Sequence, residues 1–334
     1  MRIATYNVEW FNWLFDDDGK LLRNATWSAR WDVTKAMQAD ALGAVFHAMD
    51  ADAVMIIEAP DTSRRRSGKR ALESFAEFYD LRTDTALIGF PNDTQQEIAL
   101  LYDPRVLTAR HHPRDGGAAN PRFDGAMPLD IDVDASPEAI TWSKPPLEAE
   151  VSLPGGRKLN LIGVHAKSKA PHGATDPKEI MRIAIANRRK QLAQCIWIRR
   201  RVDQILAAGE DVIVLGDFND GPGLDEYEKL FGRSGVEIVL GEDHGEALFD
   251  PHARMALGRR IGAQPATARF RLQTGQWLSA LLDYIMVSPA LMSRRPAWTI
   301  WHPFDNTACY ADPHLREALL LASDHFPVVL DIDL

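Results

Sequence analysis

The chain has 334 residues, of which 46% are hydrophobic and 25% charged, so it is long enough to bury a large core. A formal net charge of −9 argues against bulk, sequence-independent binding to nucleic acid, but it allows a local basic groove or a phosphate site neutralised by metal. Only Cys195 and Cys309 are present, and the first residues lack a signal-peptide pattern, which predicts free thiols and a cytoplasmic location. No apolar run is long enough to predict a membrane span.

The first third of the chain alternates short apolar runs with amphipathic stretches, a pattern that predicts an α/β or α+β layer fold. Strands are predicted over residues 2–8, 51–59 and 97–103, and helices over residues 28–49 and 69–79. Ser28 is the predicted N-cap of the first helix.

The middle of the chain is interrupted by residues 111–146, whose Gly and Pro content predicts a functional loop or a partly mobile insertion. Strands are predicted at 147–153 and 158–165, joined by a Pro-Gly-Gly turn. A long helix is predicted over 178–207. One face of this helix is basic, and we expect it to be a solvated outer surface: Arg188, Arg189, Lys190, Arg199, Arg200 and Arg201.

The last third begins with a predicted strand over 212–217, which ends in the motif GDFND. A looser region follows over 241–280, then a strand over 281–288, and the chain closes with SDHFPVVLDIDL. Because no linker separates two independent cores, we expect a single domain over residues 1–334.

Polar side chains end or interrupt the predicted strands at six places along the chain. They are Asn7 with Glu9, Glu58, His165, Asp217 with Asn219, Asp283, and Asp324 with His325. An isolated Asp at a strand end is usually a turn or cap residue. Ligands of layered α/β folds nevertheless collect at strand ends, so the recurrence predicts one shared crevice.

The chemistry of this set favours a hard metal ion. Five of its members are acids, which repel one another on converging unless they take up protons or bind a cation: Glu9, Glu58, Asp217, Asp283 and Asp324. Oxygen ligands without thiolates suit Mg²⁺ or Mn²⁺. The two histidines then remain for acid–base work or phosphate contact, which predicts phosphoester hydrolysis. The motifs GxxxxGK[ST], GxGxxG, HExxH and GxSxG are absent.

The ordered motifs TxNVE, E, VHxKS, GDFND, LDYIMVS and SDHFPV resemble the endonuclease/exonuclease/phosphatase superfamily of metal-dependent phosphodiesterases. That superfamily includes pancreatic-type deoxyribonuclease, abasic-site endonucleases, neutral sphingomyelinases and inositol polyphosphate 5-phosphatases. The resemblance runs from residue 2 to about residue 333. It implies a four-layer sandwich, in which two mixed β-sheets pack face to face with helices outside and the site lies at one edge of the sheets.

The resemblance also implies the metal and water positions. Glu58 matches the main metal ligand, and three further residues match positions at or near the metal: Asn7, Glu9 and Asp324. Asp217 matches the carboxylate that orients or deprotonates the attacking water, and Asn219 matches the amide that holds the nucleophile or a phosphate oxygen.

The histidines and the residues around them are expected to act on the phosphate. By the same resemblance, His325 contacts phosphate with Asp283 as its orienting carboxylate, and His165 stabilises the phosphate or assists the leaving group. Lys167 and Ser168, in the HAKSK element, are expected to bind substrate.

Several points stay open at this stage. Ile57 stands where many relatives carry Gln, and TARFR (267–271) stands where an aromatic Thr-Tyr pair is common. The cluster Arg64, Arg65, Arg66, Lys69 and Arg70 fits either a polyanion contact or a mobile basic loop, and Trp10, Trp13, Trp142 and Trp277 could stack on bases.

A nuclease acting on DNA or RNA is the leading interpretation. A phosphoesterase on a sugar, inositol or sphingomyelin-type phosphate and a non-catalytic binding protein are the alternatives.

Overall fold

The computed structural model describes residues 1–129, 138–170, 176–221, 231–243, 245–258, 264–271 and 275–334. Its strands are β1 (Arg2–Asn7), β2 (Ala53–Ala59), β3 (Thr85–Ile88), β4 (Glu97–Tyr102), β5 (Thr108–His111), β6 (Ala126–Leu129), β7 (Glu138–Thr141), β8 (Leu147–Ser152), β9 (Lys158–His165), β10 (Val212–Asp217), β11 (Ala268–Arg271), β12 (Trp277–Ala280), β13 (Asp283–Val287), β14 (Ala297–Ile300) and β15 (Val328–Asp331). Its helices are α1 (Lys35–Met49), α2 (Gly68–Phe78), α3 (Pro177–Ala207), α4 (Gly235–Leu240), α5 (Pro251–Leu257), α6 (Thr307–Ala311) and α7 (Pro313–Ala322).

Two mixed sheets form the centre of the fold. A six-stranded sheet has the order β14-β15-β1-β2-β4-β3, and a five-stranded sheet has the order β13-β10-β9-β8-β5. Two further pairs, β6-β7 and β11-β12, form separate two-stranded ribbons. Within the large sheets, β1 is parallel to β2 and β9 is parallel to β10, so the polar carboxyl ends of these strands meet at a common edge of their sheet.

The two sheets pack face to face through their apolar inner surfaces. Ile3 and Met55 of one sheet share a buried cluster with Leu161, Ile213 and Ile285 of the other. Because side chains alternate across a strand, the neighbouring residues face outward and pack under helices. Helices α1, α2 and α7 cover the six-stranded sheet, and α3 and α4 cover the five-stranded sheet. The predicted four-layer sandwich of two mixed sheets is confirmed.

The first helix begins later than predicted, at Lys35 rather than near residue 28. Thr34 is its N-cap, because the Thr34 side chain accepts a hydrogen bond from the Met37 amide. Ser28, the predicted N-cap, instead lies in a tight loop, where its amide donates to the Val33 carbonyl at 2.9 Å. The predicted cap was therefore wrong, because the loop closes on itself before the helix starts.

The 111–146 segment is only partly a loop, and residues 130–137 lie outside the described residues. Its described parts include the antiparallel pair β6–β7, with Met127 opposite Ile140. Trp142 is buried against Phe123 and Trp197, with ring centroids 6.0 and 6.5 Å away. This segment adds to the core above α3, so Trp142 does not stack on substrate as proposed from sequence.

Half of the basic face of α3 is buried, so the expectation of a solvated surface was wrong for three of its six residues. Arg188, Arg199 and Arg201 are all buried. Arg201 pairs with Glu148 and also donates to the Pro121 carbonyl at 2.8 Å. Arg199 donates to the Leu240 carbonyl at 3.1 Å. These long side chains satisfy acids and carbonyls of other segments, so they fasten α3 to the five-stranded sheet and to α4.

Both cysteines are free and buried, in line with the absence of a disulfide framework. Along the part of the chain that is described, every helix is too short or too polar to cross a membrane.

Candidate active site

The register of the sheets brings the predicted strand-end residues together. Asn7 lies beside Ile57 in the parallel β1–β2 pair, one residue before Glu58. Asp217 of β10 lies between His165 of β9 and Asp283 of β13. Three strands of one sheet thus present His165, Asp217 and Asp283 side by side, and the other sheet presents Asn7 and Glu58 across from them.

Asp217 is at the centre of this arrangement and is fully buried. Its Oδ2 accepts from Asn7 Nδ2 at 3.0 Å and from Asn219 Nδ2 at 3.1 Å, and its Oδ1 accepts from the Asn219 amide at 2.7 Å. The Asn7 contact links the two sheets. Burial is the main cause that raises the pKa of Asp217 to about 7, and Asp283 adds to the shift while His325 opposes it.

Gly216 lets β10 deliver Asp217 at this position. Its φ of +135° is a conformation that other residues rarely adopt, and an added Cβ would lie 2.1 Å from the Val164 carbonyl oxygen. Asn219 is also left-handed, with φ 48°, and its Nδ2 donates to the Ala166 carbonyl at 3.1 Å as well as to Asp217. The chain therefore turns back sharply after the strand, so that Asp217 and Asn219 face each other.

Asp283 and His325 form a buried pair next to Asp217. Asp283 Oδ2 lies 2.7 Å from His325 Nδ1. Burial by itself would lower the pKa of His325, but the charge and hydrogen bond of Asp283, with the charges of Asp217 and Asp324, raise it well above its usual value. The structure thus favours an imidazolium whose Nδ1 proton is held by Asp283.

Glu58 lies at a β-bulge near the end of β2, where the register shifts between Ile57 and Ala59. Its backbone is left-handed, with φ 62°, so the bulge redirects this side chain toward the edge of the sheet. Burial raises the pKa of Glu58, and the charges of Lys144 and His325 oppose the shift. Glu58 Oε1 lies 3.9 Å from His165 Nε2.

Glu9 and Asp324 extend the acidic side of the site. Burial is the main cause that raises the pKa of Glu9 to about 7, and the Asp324 charge raises it further. Arg30 forms an ion pair with the Glu9 carboxylate. The half-buried Asp324 is positioned through its backbone carbonyl, which accepts from the Arg269 amide at 2.7 Å.

Lys144 is a member of the cluster that the sequence did not predict. Its Nζ lies 3.1 Å from His165 Nε2, and His165 Nε2 also lies 3.6 Å from Asp217 Oδ2. Burial lowers the pKa of Lys144, and it lowers the pKa of His165 well below its usual value, with Lys144 adding to the latter shift. His165 is therefore neutral and accepts a hydrogen bond from Lys144.

Lys167 and Ser168 lie on the loop after β9, beside the cluster. The Lys167 amide donates to Gln194 Oε1 at 2.9 Å, and Ser168 Oγ accepts from the Ala170 amide at 3.3 Å. Among the described residues, neither side chain hydrogen-bonds to the acids and histidines of the cluster. Lys167 is close enough to Lys144 for its charge to lower the pKa of that lysine.

Asp220, the last acid of GDFND, connects neighbouring segments of the fold. Its Oδ1 accepts from Lys169 Nζ at 2.5 Å and from Arg188 Nη1 at 2.8 Å, and its Oδ2 accepts from the Gly235 amide at 2.5 Å. The buried carboxylate joins the loop after β9, α3 and the start of α4.

The residues of the predicted basic cluster have different contacts. Arg66 is anchored, because its guanidinium donates to Asn12 Oδ1 at 2.9 Å and to the Phe15 carbonyl at 3.0 Å. Lys69 pairs with Glu73. Arg64 and Arg65 line an open cleft of about 660 Å³ together with Asp61 and Asn92, so acids as well as bases border that cleft.

The donor set fits a hard divalent cation. Within the described part of the chain, the buried atoms Asn7 Oδ1 and Asp283 Oδ1 have no hydrogen-bond partner, and both are oxygen atoms of the kind that Mg²⁺ binds. One group of acids and histidines in the described part of the chain has potential ligand atoms within 4.8 Å of one another: Asp217, Asp283 and His325. A metal held by His325 Nδ1 would displace its 2.7 Å hydrogen bond to Asp283, which is why the oxygen atoms of Asn7 and Glu58 suit a cation better.

Solved structures share this fold at low sequence identity. Truncated TDP2 from Caenorhabditis elegans is 15% identical with a TM-score of 0.52, and the match covers 100% of this chain and 97% of that chain. TDP2 from D. rerio complexed with a single strand DNA product is 12% identical with a TM-score of 0.50, covering 100% and 99%. A mannosyl-6-phosphatase from Bacteroides thetaiotaomicron is 13% identical with a TM-score of 0.50, covering 99% and 99%. Among curated proteins, none matches this chain in sequence.

The family comparison covers nearly the whole fold and all the strand-end residues described above. Residues 4–325 match the Endonuclease/Exonuclease/phosphatase family, so the matched range begins within β1 and ends at His325. The chain belongs to the Endonuclease/Exonuclease/phosphatase family and has the fold of its phosphoester hydrolases.

Proposed function

We propose that this protein is a Mg²⁺- or Mn²⁺-dependent phosphodiesterase that hydrolyses DNA or RNA. One observation carries the proposal. The buried Asp217 carboxylate lies within 4.8 Å of ligand atoms of both Asp283 and His325, and the latter two form a 2.7 Å pair. A proton acceptor and a cationic hydrogen-bond donor thus face one small volume, as hydrolysis at phosphorus requires.

Asp217 acts on the attacking water in this proposal. A pKa near 7 suits a general base at neutral pH, because the group is then ionised in part and still able to accept a proton. Asn7 and Asn219 fix the orientation of the carboxylate through their amide groups. The water oxygen bonds to phosphorus as its proton passes to Asp217, and the P–O bond to the leaving group breaks.

His325 acts on the phosphate directly, whereas His165 acts through Lys144. The Asp283-bound imidazolium of His325 donates from Nε2 to a phosphate oxygen, where negative charge builds up. Neutral His165 keeps Lys144 in place through the 3.1 Å contact, and Lys144 supplies the proton for the leaving oxygen. Lys167 and Ser168 extend this side toward the rest of the substrate.

Glu58 is the main metal ligand in this proposal, with Asn7, Glu9 and Asp324 at or near the metal position. When bound, the divalent cation supplies positive charge that neutralises the acids and polarises the phosphate. The unpartnered Asn7 Oδ1 supports this assignment, as do the raised pKa values of Glu58 and Glu9, because desolvated carboxylates gain most from a cation.

The test is a panel of substrates assayed with metal-free protein, with and without added Mg²⁺ or Mn²⁺. The panel contains a single-stranded DNA, an RNA, duplex DNA and mannose 6-phosphate, and Asp217→Asn serves as the inactive reference. We expect metal-dependent cleavage of a nucleic acid by the wild type. Failure to cut any nucleic acid with either metal would refute the nuclease proposal.

A phosphoesterase acting on a small molecule is the second candidate. The net charge of −9 favours a small substrate over a long polyanion, and a mannosyl-6-phosphatase shares the fold. This candidate predicts that only the small phosphoester in the panel is hydrolysed, again with metal and again not by Asp217→Asn.

A further inference from the structure

Exposed tryptophans are concentrated around the proposed site. Five of the nine tryptophans are exposed: Trp10, Trp13, Trp27, Trp31 and Trp277. Single exposed apolar side chains are common, whereas larger exposed apolar patches mark binding sites. Four of the five follow Glu9 within the connection from β1 to α1, and the fifth begins β12, just before Asp283.

Trp27 and Trp31 belong to the loop of residues 27–34, which we call the tryptophan loop. A backbone bridge joins Trp27 to Thr34, and the Ser28 amide donates to the Val33 carbonyl at 2.9 Å. The two rings line a cleft of about 380 Å³ with Arg30 and Asp32, which lies within the size range of small-ligand sites. Their exposed fractions are 65% for Trp27 and 78% for Trp31, so the rings are open to a ligand.

Arg30 joins this cleft to the proposed site. Its guanidinium pairs with the Glu9 carboxylate and donates to the Leu320 carbonyl at 3.1 Å. Because Glu9 is a proposed metal-site residue, Arg30 lines the cleft of the tryptophan loop and also contacts the metal side of the proposed site.

The β11–β12 hairpin carries the second half of the aromatic surface. Arg271 stacks on Trp31 at 4.9 Å, and Arg269 stacks on Trp277 at 4.0 Å and on Phe304 at 5.2 Å. On the same hairpin, Phe270 packs on His325 with ring centroids 5.5 Å apart. Guanidinium groups thus alternate with aromatic rings along a surface that contacts a proposed catalytic histidine.

We propose that Trp27, Trp31 and Trp277 stack on unpaired nucleobases of the strand whose phosphate is hydrolysed, so that the enzyme selects single-stranded nucleic acid. The inference rests on the proposed function and adds the substrate class. Every base offers a flat face for stacking, and the interleaved arginines complement the phosphates between bases. A lipid tail would gain nothing from the arginines, and duplex bases are already stacked on each other.

The experiment compares kcat/KM, with Mg²⁺, for a single-stranded thymidine decamer, a decamer of abasic residues and a thymidine–adenine duplex. Wild type is compared with Trp31→Ala, Trp277→Ala and Phe78→Ala. Phe78 is a matched control, because it is an exposed aromatic residue (57%) that lies away from the proposed site. It ends α2 shortly before β3, and β3 starts at the end of the sheet that lies far from Glu58. Thermal unfolding verifies that each variant is folded.

We expect the wild type to prefer the thymidine decamer over the abasic decamer and the duplex. Each tryptophan substitution lowers the ratio of thymidine to abasic kcat/KM about tenfold, whereas Phe78→Ala leaves this ratio unchanged. Equal cleavage of both decamers, or an unchanged ratio in both tryptophan variants, overturns the stacking proposal while the phosphodiesterase stands. No cleavage of any of the three substrates, nor of the RNA in the substrate panel above, refutes the proposed function itself, and the inference with it.

Discussion

The Asp283–His325 pair allows a sharp test of the proposed phosphate-stabilising group. Asp283→Asn removes one charge and keeps the shape of the side chain. The backbone at this position is held independently, because Thr267 Oγ1 accepts from the Leu282 and Asp283 amides, both at 3.0 Å. The strand should therefore stay in register with β10, and the variant should fold.

The expected loss of activity follows from the charge state of His325. Burial lowers the pKa of this histidine, and Asp283 is the first of the groups that raise it well above the usual value. Without that carboxylate, only the charges of Asp217 and Asp324 oppose burial, so the pKa of His325 falls and less of the imidazole is protonated. Losing one preorganised charged donor costs about 10²–10³ in kcat, and disturbing the tautomer adds to this. We expect kcat to fall about 10³-fold, or about 4 kcal/mol in barrier height.

The pH profile separates this mechanism from simple damage. In the wild type, the raised pKa keeps His325 protonated, so this group causes no loss of rate as pH rises from about 6.5 to 8. In Asp283→Asn, the pKa of His325 lies lower, so loss of the imidazolium opposes the gain from ionisation of Asp217 near pH 7, and the rate begins to fall at a lower pH than in the wild type. The assay is kcat against pH on a single-stranded oligonucleotide at saturating Mg²⁺. Asp305→Asn is the control, because it removes the exposed partner of another Asp–His pair, 3.1 Å from His302. A fall under tenfold, or an unchanged pH profile, would refute the reasoning.

Three further substitutions test other parts of the structure. Lys144→Met removes the donor to His165 and should lower kcat about a hundredfold, with partial recovery in Lys144→Arg; steady-state rates equal to wild type would exclude Lys144 from the chemistry. Arg201→Met leaves the buried Glu148 carboxylate without its ion-pair partner and should lower the free energy of unfolding, measured in urea, by about 3–5 kcal/mol. The control is Arg182→Met at an exposed position of the same helix, which should change that free energy by under about 0.5 kcal/mol. Equal effects would contradict the burial argument. Gly216→Ala should lower the free energy of unfolding much more than Gly209→Ala in the same urea assay. Both glycines have positive φ, but only at Gly216 does the added Cβ meet the backbone. Similar losses of unfolding free energy would show that the contact with Val164 relaxes.

The parts of the fold that sequence predicted well are those with short-range signals. Strands such as β9 and β10 are runs of apolar residues that end at polar side chains, so their ends were fixed closely by the sequence. These two runs identified His165 and Asp217, and the apolar run of β13 identified Asp283. Their lateral order became visible only through strand pairing, in which Asp217 lies between the other two.

The failures share one physical cause, which is that partners far apart in the chain decide burial. Arg201 looks like a solvated helix residue until Glu148, 53 positions earlier, is brought beside it. Lys144 lies in an aperiodic Pro-rich stretch and becomes part of the site only through His165. The same holds for the tryptophans. Trp142 was one of four tryptophans that the sequence allowed to stack on bases, and it is buried, whereas Trp27 and Trp31 are exposed.

The central claim is that Asp217 serves as the base for hydrolysis at a phosphodiester. The most direct measurement is the single-turnover rate of oligonucleotide cleavage by wild type and Asp217→Asn at saturating Mg²⁺, with substrate affinity measured alongside. The Asn side chain can still contact Asn7 and Asn219, so binding should persist while the rate falls by about three orders of magnitude or more. A rate within tenfold of wild type, with substrate bound normally, would contradict the assignment of Asp217.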